Sequence, residues 1–213
     1  MLTIHHLGTS QSERILWLCE ELGVPYQMQK HERDAVTRLS PPALLALTPM
    51  GTAPVIEDNG LVLGESGAIV EYISAKYGGG RLVLKPDHPD YAQFLYWFHF
   101  ANSSFQAVMG RSMTLSRTKL PADNPVVASI KGRLERALGS VETRLGEVPF
   151  LAGQEFTAAD IMIVFSLTTM RVFFPLDLTP WPNIRAYLAR LGERPAYQRA
   201  MAKGDPGFTP MLA

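Results

Sequence analysis

Cysteine is nearly absent from this sequence, which holds one, Cys19, in 213 residues. A single cysteine excludes a disulfide within the chain and any metal cluster built from several thiolates. Such a count fits a reducing compartment. We therefore expect a cytoplasmic protein.

Charge of one sign is not in excess either, because Lys and Arg total 20, Asp and Glu total 20, and no run of like charge stands out. Neither a nucleic acid nor an acidic membrane surface is thus an expected partner. The most apolar late stretch, residues 161–167, is far shorter than the roughly 20 residues that cross a bilayer. No export signal of basic, apolar and small residues opens the chain. We expect a small ligand instead.

Motifs for metal or nucleotide chemistry are missing as well. His5 and His6 are adjacent on a predicted strand, so their side chains point to opposite faces and favour a role in packing. No glycine-rich loop of the kind that cradles phosphate occurs. We expect no metal cofactor.

The pattern that is present changes in character at residues 78–80, three consecutive glycines. Before them, short apolar runs alternate with turn signals, and after them the pattern becomes long amphipathic segments. Proline and glycine within residues 78–89 interrupt regular structure and predict a linker. We predict two domains, residues 1–80 and residues 88–213, and the apolar content of 46% is ample for a buried core.

The first domain is predicted to be a small sheet covered by helices. Residues 2–7 have strand character, apolar residues recur at helical spacing over 15–22, and residues 26–30 form a weaker strand. A strand, helix and strand with short connections imply a parallel βαβ unit. An Asn-Gly pair at 59–60 predicts a hairpin, and a last helix follows from about 66 to 77.

The second domain is predicted to contain about five helices. Pro125, Pro182 and Pro195 each mark a first helical turn, where the missing N–H of proline costs nothing. Thr157 and Asp160 have the spacing of a capping box. The segment after them is apolar nearly all round, which indicates a buried helix.

Three separated segments together resemble the glutathione-site signature of the cytosolic glutathione S-transferase superfamily. They are SQSER at residues 10–14, PMGTAPV at 49–55 and ESGAI at 65–69. The opening strand, ILWLCEELGVPY and FTAAD also occur in order and at family-like spacing along the whole chain. Within the superfamily the chain looks most similar to bacterial and fungal, theta-like members of the serine type. The resemblance implies an α/β thioredoxin-like N-terminal domain followed by an all-α helical bundle, glutathione as co-substrate and a homodimer.

The resemblance also assigns the glutathione contacts. In the family the proline at Pro54 follows a cis peptide bond, which turns the backbone of Ala53 toward the cysteinyl part of glutathione. Ser66 and its N–H would bind the carboxylate of the γ-glutamyl end, and Glu65 would help to hold the peptide. From the residues alone, an ordinary trans bond before Pro54 is the alternative. Ser66 could equally be the N-cap of a helix, whose free N–H groups would still be open to an anion.

Ser10 is the predicted catalytic residue. The thiolate is the nucleophilic form of glutathione, and a hydroxyl donor beside a helix N-terminus stabilises it through a hydrogen bond and the helix dipole. Ser10 and Glu13 also have the spacing of a capping box, and Thr9 and Ser12 are hydroxyls in the same turn, so these alternatives stay open. No cysteine lies in this turn, which argues against members that form a mixed disulfide with glutathione.

Thr52 occupies a position where many relatives carry lysine, which would pair with the glycine carboxylate of glutathione. Threonine can only hydrogen-bond to that group. We expect either that Arg33 or Arg38 supplies the charge or that binding is weaker at this end. The sequence leaves this choice open.

The second substrate is expected to meet the thiolate over a helix running from about 90 to 117. Phe105, Met109 and Arg111 are the predicted pocket residues on this helix, which is unusually rich in aromatic residues. Phe105 and Met109 lie on the face that the resemblance directs to the cleft. Arg111 would favour an anionic or electron-poor partner.

The resulting hypothesis is a glutathione S-transferase with a role in detoxification. It would activate the thiol of glutathione for attack on a hydrophobic electrophile. One alternative is a glutathione-dependent peroxidase or disulfide reductase that uses the same thiolate. The other is a non-catalytic member whose cleft binds apolar ligands or a partner. Pocket selectivity depends on scattered side chains, so the sequence does not name the electrophile.

Overall fold

A four-stranded sheet forms the first part of the chain in the computed structural model, which describes residues 1–37, 39–121 and 123–213. Its strands are β1 (Leu2–Leu7), β2 (Gln27–His31), β3 (Val55–Asp58) and β4 (Leu61–Leu63). They lie in the order β2-β1-β3-β4, with β1 and β2 parallel and the other neighbouring pairs antiparallel. Nearly every residue of β1 is buried, as is typical of a central strand covered on both faces.

Three helices connect these strands and follow them. They are α1 (Glu13–Leu22), α2 (Pro42–Leu45) and α3 (Ser66–Lys76). Asn59 and Gly60 both have positive φ, which confirms the predicted hairpin. The order β1-α1-β2, then β3-β4-α3, is the predicted thioredoxin-like arrangement, including its parallel βαβ unit.

The rest of the chain is helical, with α4 (Tyr91–Phe100), α5 (Ala107–Ser116), α6 (Pro125–Glu147), α7 (Ala158–Leu167), α8 (Pro182–Gly192) and α9 (Pro195–Gly204). A π-helical stretch, Ala101–Gln106, joins α4 and α5 into the long helix predicted over 90–117. Proline opens α6, α8 and α9, as predicted. Every residue of α7 is buried, which confirms the prediction of a helix apolar all round. Within the described residues, no helix is long and apolar enough to span a membrane.

The chain divides into two units a few residues after the three glycines. Unit 1 comprises Met1–Val83 with Gly192–Pro210, and unit 2 comprises Leu84–Leu191 with Met211–Ala213. The α/β part followed by an all-helical part is thus as predicted. The division differs from the predicted one in its last helix, because α9 belongs to unit 1 and not to the second domain predicted over 88–213.

Unit 1 includes α9 because this helix packs on α1. The rings of Trp17 and Tyr197 meet edge to face, with their centroids 4.9 Å apart. Arg194 donates from Nε to Glu21 Oε1 at 2.6 Å and from Nη2 to Glu21 Oε2 at 2.8 Å, which makes a bidentate pair. These partners are far apart in the sequence, so local periodicity does not reveal the contact.

The start of α7 in unit 2 is held by the capping box that the sequence predicts. Asp160 Oδ2 accepts from Thr157 N at 2.8 Å, and Thr157 Oγ1 accepts from Ala159 N at 3.3 Å. Asp160 Oδ1 accepts from Leu151 N at 3.0 Å and from the Tyr187 hydroxyl at 2.8 Å. Burial raises the pKa of Asp160, although these hydrogen bonds oppose the shift.

Candidate functional site

The turn that contains Ser10 lies at the end of β1, where β3 begins. β3 runs antiparallel to β1, and its first residue, Val55, pairs with His5. Leu7, the last residue of β1, belongs to the same buried cluster as Ala53 and Val55. The Ser10 turn and the segment before β3 therefore share one end of the sheet.

The peptide bond between Ala53 and Pro54 is cis. This confirms the isomer that the family resemblance implies and excludes the trans alternative. Pro54 immediately precedes β3, so its missing N–H removes no hydrogen bond from the sheet. Ala53 is buried, whereas Thr52 beside it is exposed.

Arg14 links the start of α3 to the Ser10 turn. Its Nη1 donates to Ser66 Oγ at 3.1 Å and to Gln11 Oε1 at 2.8 Å. Ser66 is the first residue of α3, and Glu65 takes the N-cap position, so the alternative of Ser66 as N-cap is wrong. Burial lowers the pKa of Arg14 to about 9, and Glu13 opposes the shift, so the guanidinium stays charged at neutral pH.

Glu65 adopts a backbone conformation that is uncommon for a residue with a side chain. Its φ is 65° and its ψ is 110°, whereas only a few per cent of non-glycine residues have positive φ. Its carbonyl accepts from Ile69 N at 2.9 Å. The first N–H groups of a helix have no partner within it, so the start of α3 presents donors and the positive end of the helix dipole. This arrangement suits a carboxylate ligand.

Ser10 does not cap α1. Glu13 N donates to the Ser10 carbonyl at 3.1 Å, whereas the Ser10 hydroxyl contacts Ser12, which is the N-cap residue. The two hydroxyl oxygens are 2.7 Å apart, and Ser12 N donates to Ser10 Oγ at 3.2 Å. The capping-box alternative for Ser10 and Glu13 is therefore wrong.

The other two hydroxyls of the turn are engaged with the protein. Thr9 Oγ1 donates to the Gly8 carbonyl at 2.8 Å. Ser12 has no exposed surface, and its Oγ lies 2.9 Å from His6 Nδ1 and within hydrogen-bond distance of the Leu7 backbone. Ser10 retains 6% of its surface exposed. Ser10 is engaged as well, with Ser12, and Thr9 is more exposed than Ser10, so Ser10 as the hydroxyl that meets a ligand stays a prediction.

Arg33 lies beside the same turn. It donates from Nε to the Gly8 carbonyl at 3.1 Å and from Nη2 to the Thr9 carbonyl at 3.3 Å. Arg38, the other arginine that could replace the lysine expected at Thr52, lies outside the described residues. Of these two candidate arginines, Arg33 is therefore the one that the structure describes, and it lies beside the Ser10 turn.

Cys19 lies in α1 with no exposed surface. Burial raises the pKa of its thiol to about 12, and Glu20 adds to the shift. Little thiolate forms at neutral pH under these conditions, so Cys19 is a packing residue and not a nucleophile. In the part of the chain that the structure describes, no group of three His, Cys, Asp or Glu side chains is placed to hold a metal ion.

Phe105, Met109 and Arg111 differ in their exposure. Phe105 and Met109 are completely buried, and the Phe105 ring stacks on Phe100 with centroids 6.1 Å apart. Arg111 is exposed and lines an open groove of about 600 Å³ along α5. The apolar side chains of that groove include Met113, Leu115 and Ile130. A substrate pocket formed by all three residues stays a prediction, and only Arg111 has surface for it here.

The interpretation of the sequence missed the polar contacts of His6 and Asp205. Asp205 Oδ2 accepts from Thr9 N at 2.9 Å and lies 3.4 Å from His6 Nε2. Burial acts to raise the pKa of Asp205, but the His6 imidazole, the Thr9 N–H and the Lys30 charge together hold it below its usual range. Asp205 follows α9 and lies 196 residues from Thr9 in the sequence, so no local pattern signals this contact.

Residues 4–81 match the family described as glutathione S-transferase, N-terminal domain, and residues 124–190 match glutathione S-transferase, C-terminal domain. Glutathione S-transferase 3 of Schizosaccharomyces pombe is 30% identical over 95% of this chain and 88% of its own length.

Solved structures show the same similarity. A glutathione S-transferase from Actinobacillus pleuropneumoniae is 28% identical, with a TM-score of 0.87 over 96% of this chain and 93% of that one. A glutathione transferase family member from Pseudomonas fluorescens, solved with two glutathione molecules bound, is 22% identical and has a TM-score of 0.76. The match covers 94% of this chain and 92% of that one, and the two proteins share the fold.

Proposed function

The chain belongs to the glutathione S-transferase family, and from this premise we propose that it binds glutathione in unit 1 and activates the thiol for attack on a hydrophobic electrophile. The observation that carries the proposal is the position of the Ser10 hydroxyl. It stands just before α1, at the end of the sheet where the cis Ala53–Pro54 bond also lies.

The two segments at this end of unit 1 give glutathione complementary partners. The backbone of Ala53 pairs with the cysteinyl part of the tripeptide. Ser66 and the N–H groups at the start of α3 hold the carboxylate of the γ-glutamyl end, and Glu65 helps to hold the peptide. The buried charge of Arg14, 3.1 Å from Ser66 Oγ, favours an anion there. Glutathione in the Pseudomonas fluorescens relative supports the choice of ligand.

The glycine end of glutathione has Thr52 as its exposed polar contact. The lysine that many relatives carry at this position is missing, and Arg33 supplies positive charge from the neighbouring Ser10 turn. A guanidinium bonded to two backbone carbonyls is held in place, so it acts on the ligand mainly through its field.

The chemical step requires the thiolate of glutathione. A free thiol has a pKa of about 8.5, so most of it is protonated at neutral pH. The Ser10 O–H donates to the sulfur, and the positive end of the α1 dipole favours the negative charge. The thiol proton passes to solvent. The sulfur then forms a bond to carbon with its electron pair, and the leaving group departs with the pair that bound it.

The burial of Cys19 supports this reaction over one that passes through a protein disulfide. A mixed disulfide with glutathione needs an accessible thiolate, and Cys19 has neither exposure nor a favourable pKa. Reduction of a peroxide by the glutathione thiolate alone stays an outcome of the test below.

Three further features are proposed on the ground of family membership. The protein is a cytoplasmic homodimer with a role in detoxification. The electrophile binds beside the long helix of unit 2, where Arg111 offers an exposed guanidinium to an electron-poor or anionic partner. The open groove of about 600 Å³ and its apolar lining suit a hydrophobic molecule.

Ser10→Ala tests the proposal. Its turnover of a chloronitrobenzene should fall at least about tenfold while glutathione affinity is retained, because the hydrogen bond to the thiolate is lost. Thr9→Val is the matched control, since it removes a hydroxyl from the same turn without changing side-chain size, and its turnover should be close to that of the parent. Steady-state kinetics and calorimetric titration with glutathione provide both readouts.

Unchanged turnover in Ser10→Ala would sink the thiolate-stabilising role. A loss confined to Thr9→Val would transfer the role to Thr9. If the unsubstituted protein binds glutathione but neither conjugates the electrophile nor reduces a peroxide, it is a binding member of the family. Reduction of peroxide without conjugation would make it a peroxidase.

A further inference from the structure

A chain of buried polar side chains leads from Ser10 into unit 1. Ser10 Oγ is 2.7 Å from Ser12 Oγ, which is 2.9 Å from His6 Nδ1. His6 Nε2 lies 3.4 Å from Asp205 Oδ2, an ion-pair distance that falls outside hydrogen-bond geometry. Ser12 and His6 have no exposed surface. Buried polar groups need matched donors and acceptors, so the protons along this chain can be assigned by counting.

The Ser12 hydroxyl has one proton to donate and two lone pairs that can accept. Leu7 N donates to one lone pair at 3.2 Å. A proton on His6 Nδ1 would fill the second, so Ser12 would then have to donate its own proton. The possible acceptors are Ser10 Oγ at 2.7 Å and the Leu7 carbonyl at 3.3 Å, of which Ser10 is the closer.

The direction of the Ser10 proton follows from this choice. Ser10 Oγ already accepts from Ser12 N at 3.2 Å. When it also accepts the Ser12 hydroxyl proton, both of its lone pairs are used, and its own O–H is left to donate to a ligand. An unprotonated His6 Nδ1 reverses the direction of these hydrogen bonds, because Ser12 then donates to His6 and Ser10 donates to Ser12.

We infer that His6 is a positioning residue, which donates to Ser12 from Nδ1, faces Asp205 with a protonated Nε2 and thereby turns the Ser10 hydroxyl toward the thiolate of glutathione. The inference rests on the proposed function of Ser10 and deepens it. It assigns the orientation of the reacting hydroxyl to groups that never touch the substrate.

With a proton on each nitrogen the His6 ring is an imidazolium, and the Asp205 carboxylate 3.4 Å from Nε2 stabilises that charge. The carboxylate comes from the segment after α9 and also accepts from Thr9 N. Lys30 of β2 lies 3.7 Å from Asp205 Oδ1, and it competes for the carboxylate. The neighbouring His5 is occupied elsewhere, since it contacts His31 at 2.9 Å and Glu57 at 3.1 Å.

Arg33 and His31 are further cationic or titratable groups near His6. Arg33 is held at the Gly8 and Thr9 carbonyls. The pKa of His31 is lowered by burial and by the charges of His5 and His6.

Two glycines make room for this contact. A Cβ at Gly204, the last residue of α9, would lie 3.1 Å from His6 Nε2, and a Cβ at Gly8 would lie 3.0 Å from Asp205 Oδ1. Both distances are tighter than ordinary van der Waals contact. The absence of side chains on both residues lets the ring and the carboxylate approach.

Two substitutions at His6 distinguish the roles of its two ring nitrogens. His6→Asn places an amide at the position of Nδ1 along the side chain and retains a donor to Ser12, whereas His6→Gln places it at the position of Nε2 and loses that donor. The readout is the ultraviolet absorbance of the thiolate in bound glutathione, titrated with pH. His6→Gln should reduce the ionised fraction of bound glutathione at neutral pH about fivefold, the worth of one hydrogen bond. His6→Asn should restore most of it.

Asp205→Asn provides a second variant that leaves β1 unchanged. It keeps an oxygen for Thr9 N but removes the charge that faces His6, so it should reduce the thiolate fraction in the same direction as His6→Gln. His5→Gln is the matched control, because His5 is a buried histidine on the same strand with different partners. It should leave the thiolate fraction unchanged.

Thiolate fractions equal to the parent in both His6→Gln and Asp205→Asn would overturn the inference. Equal losses in His6→Gln, His6→Asn and His5→Gln would also overturn it, since they would indicate general damage to the strand. If His6→Gln does not fold, the result for Asp205→Asn decides. A parent protein that ionises glutathione no better than water does would defeat the proposed function itself. Ionisation that depends on Ser10 but not on His6 or Asp205 would defeat this inference alone.

Discussion

The starts of α1 and α7 have the same sequence pattern and use it in different ways. Ser10 is followed three residues later by Glu13, and Thr157 is followed three residues later by Asp160. At α7 the pattern closes into a capping box, with Asp160 accepting from Thr157 N at 2.8 Å. At α1 it stays open, because the Ser10 hydroxyl contacts Ser12 instead.

The source of the carboxylate explains much of the contrast. Asp160 is a residue of its own helix, is completely buried and joins the helix start to Leu151 and Tyr187. The carboxylate at the α1 turn is that of Asp205, which comes from the segment after α9 and accepts from Thr9 N. In the closed box at α7, the Thr157 hydroxyl stabilises the helix start. In the open arrangement at α1, the Ser10 hydroxyl lies at the helix N-terminus, where a ligand can contact it.

Asp160→Ala should produce the largest effect on stability. It removes the acceptor of several buried hydrogen bonds at once and leaves their donors unpaired. We expect the free energy of unfolding to fall by about 3 kcal/mol, measured by urea denaturation followed by circular dichroism. Tyr187→Phe, which removes one of those donors and keeps the ring, should cost about 1 kcal/mol. Equal losses in the two variants would show that the box contributes nothing beyond the tyrosine contact.

Thr157→Ala and Ser10→Ala should separate stability from activity. Loss of the cap at Thr157 should lower the free energy of unfolding by about 1 kcal/mol without changing glutathione affinity. Ser10→Ala should cost roughly half as much, because its hydroxyl caps no helix, while turnover falls as described above. Denaturation and kinetics on the two purified variants give the comparison. A larger loss of stability in Ser10→Ala than in Thr157→Ala would contradict the contrast between the two helix starts.

The smallest expected effect is on the acid stability of the fold. The pKa of Asp205 is lowered in the fold by His6, Thr9 and Lys30 against the effect of burial. Its charge therefore stabilises the fold above the unfolded pKa of about 3.9, and this contribution is lost as the pH falls through the lower, folded value. Asp205→Asn should lose less stability than the parent on acidification below about pH 4, measured as the melting temperature in a pH series.

For Asp160 we expect the opposite pH dependence of stability, which makes this residue the comparison for Asp205. Burial raises its pKa in the fold, so its contribution is present below the unfolded pKa and is lost as the pH rises through the folded value. Asp160→Asn should therefore lose more stability on acidification than the parent does. If the difference in melting temperature between variant and parent changes with pH in the same direction for Asp205→Asn and Asp160→Asn, the assigned shifts are contradicted.

The parts of the fold that depend on short stretches of chain could be predicted. The hairpin at Asn59 follows from turn chemistry, and the box at Thr157 follows from capping geometry. The cis bond before Pro54 followed from the resemblance, since proline alone permits either isomer. The capping alternatives at Ser10 and Ser66 failed because hydroxyls in a helix start have several partners within reach, and the tertiary neighbours decide among them.

The order of elements and the two-part architecture could be predicted from local sequence patterns, because periodicity, turn residues and capping patterns act over a few residues. The family followed from the resemblance of the three motifs. The tertiary structure decided that α9 belongs to unit 1 and that Phe105 and Met109 are core residues. It also decided that Ser10 is backed by Ser12, His6 and Asp205. Burial and proton direction depend on which distant side chains meet, and that meeting is a property of the packed fold.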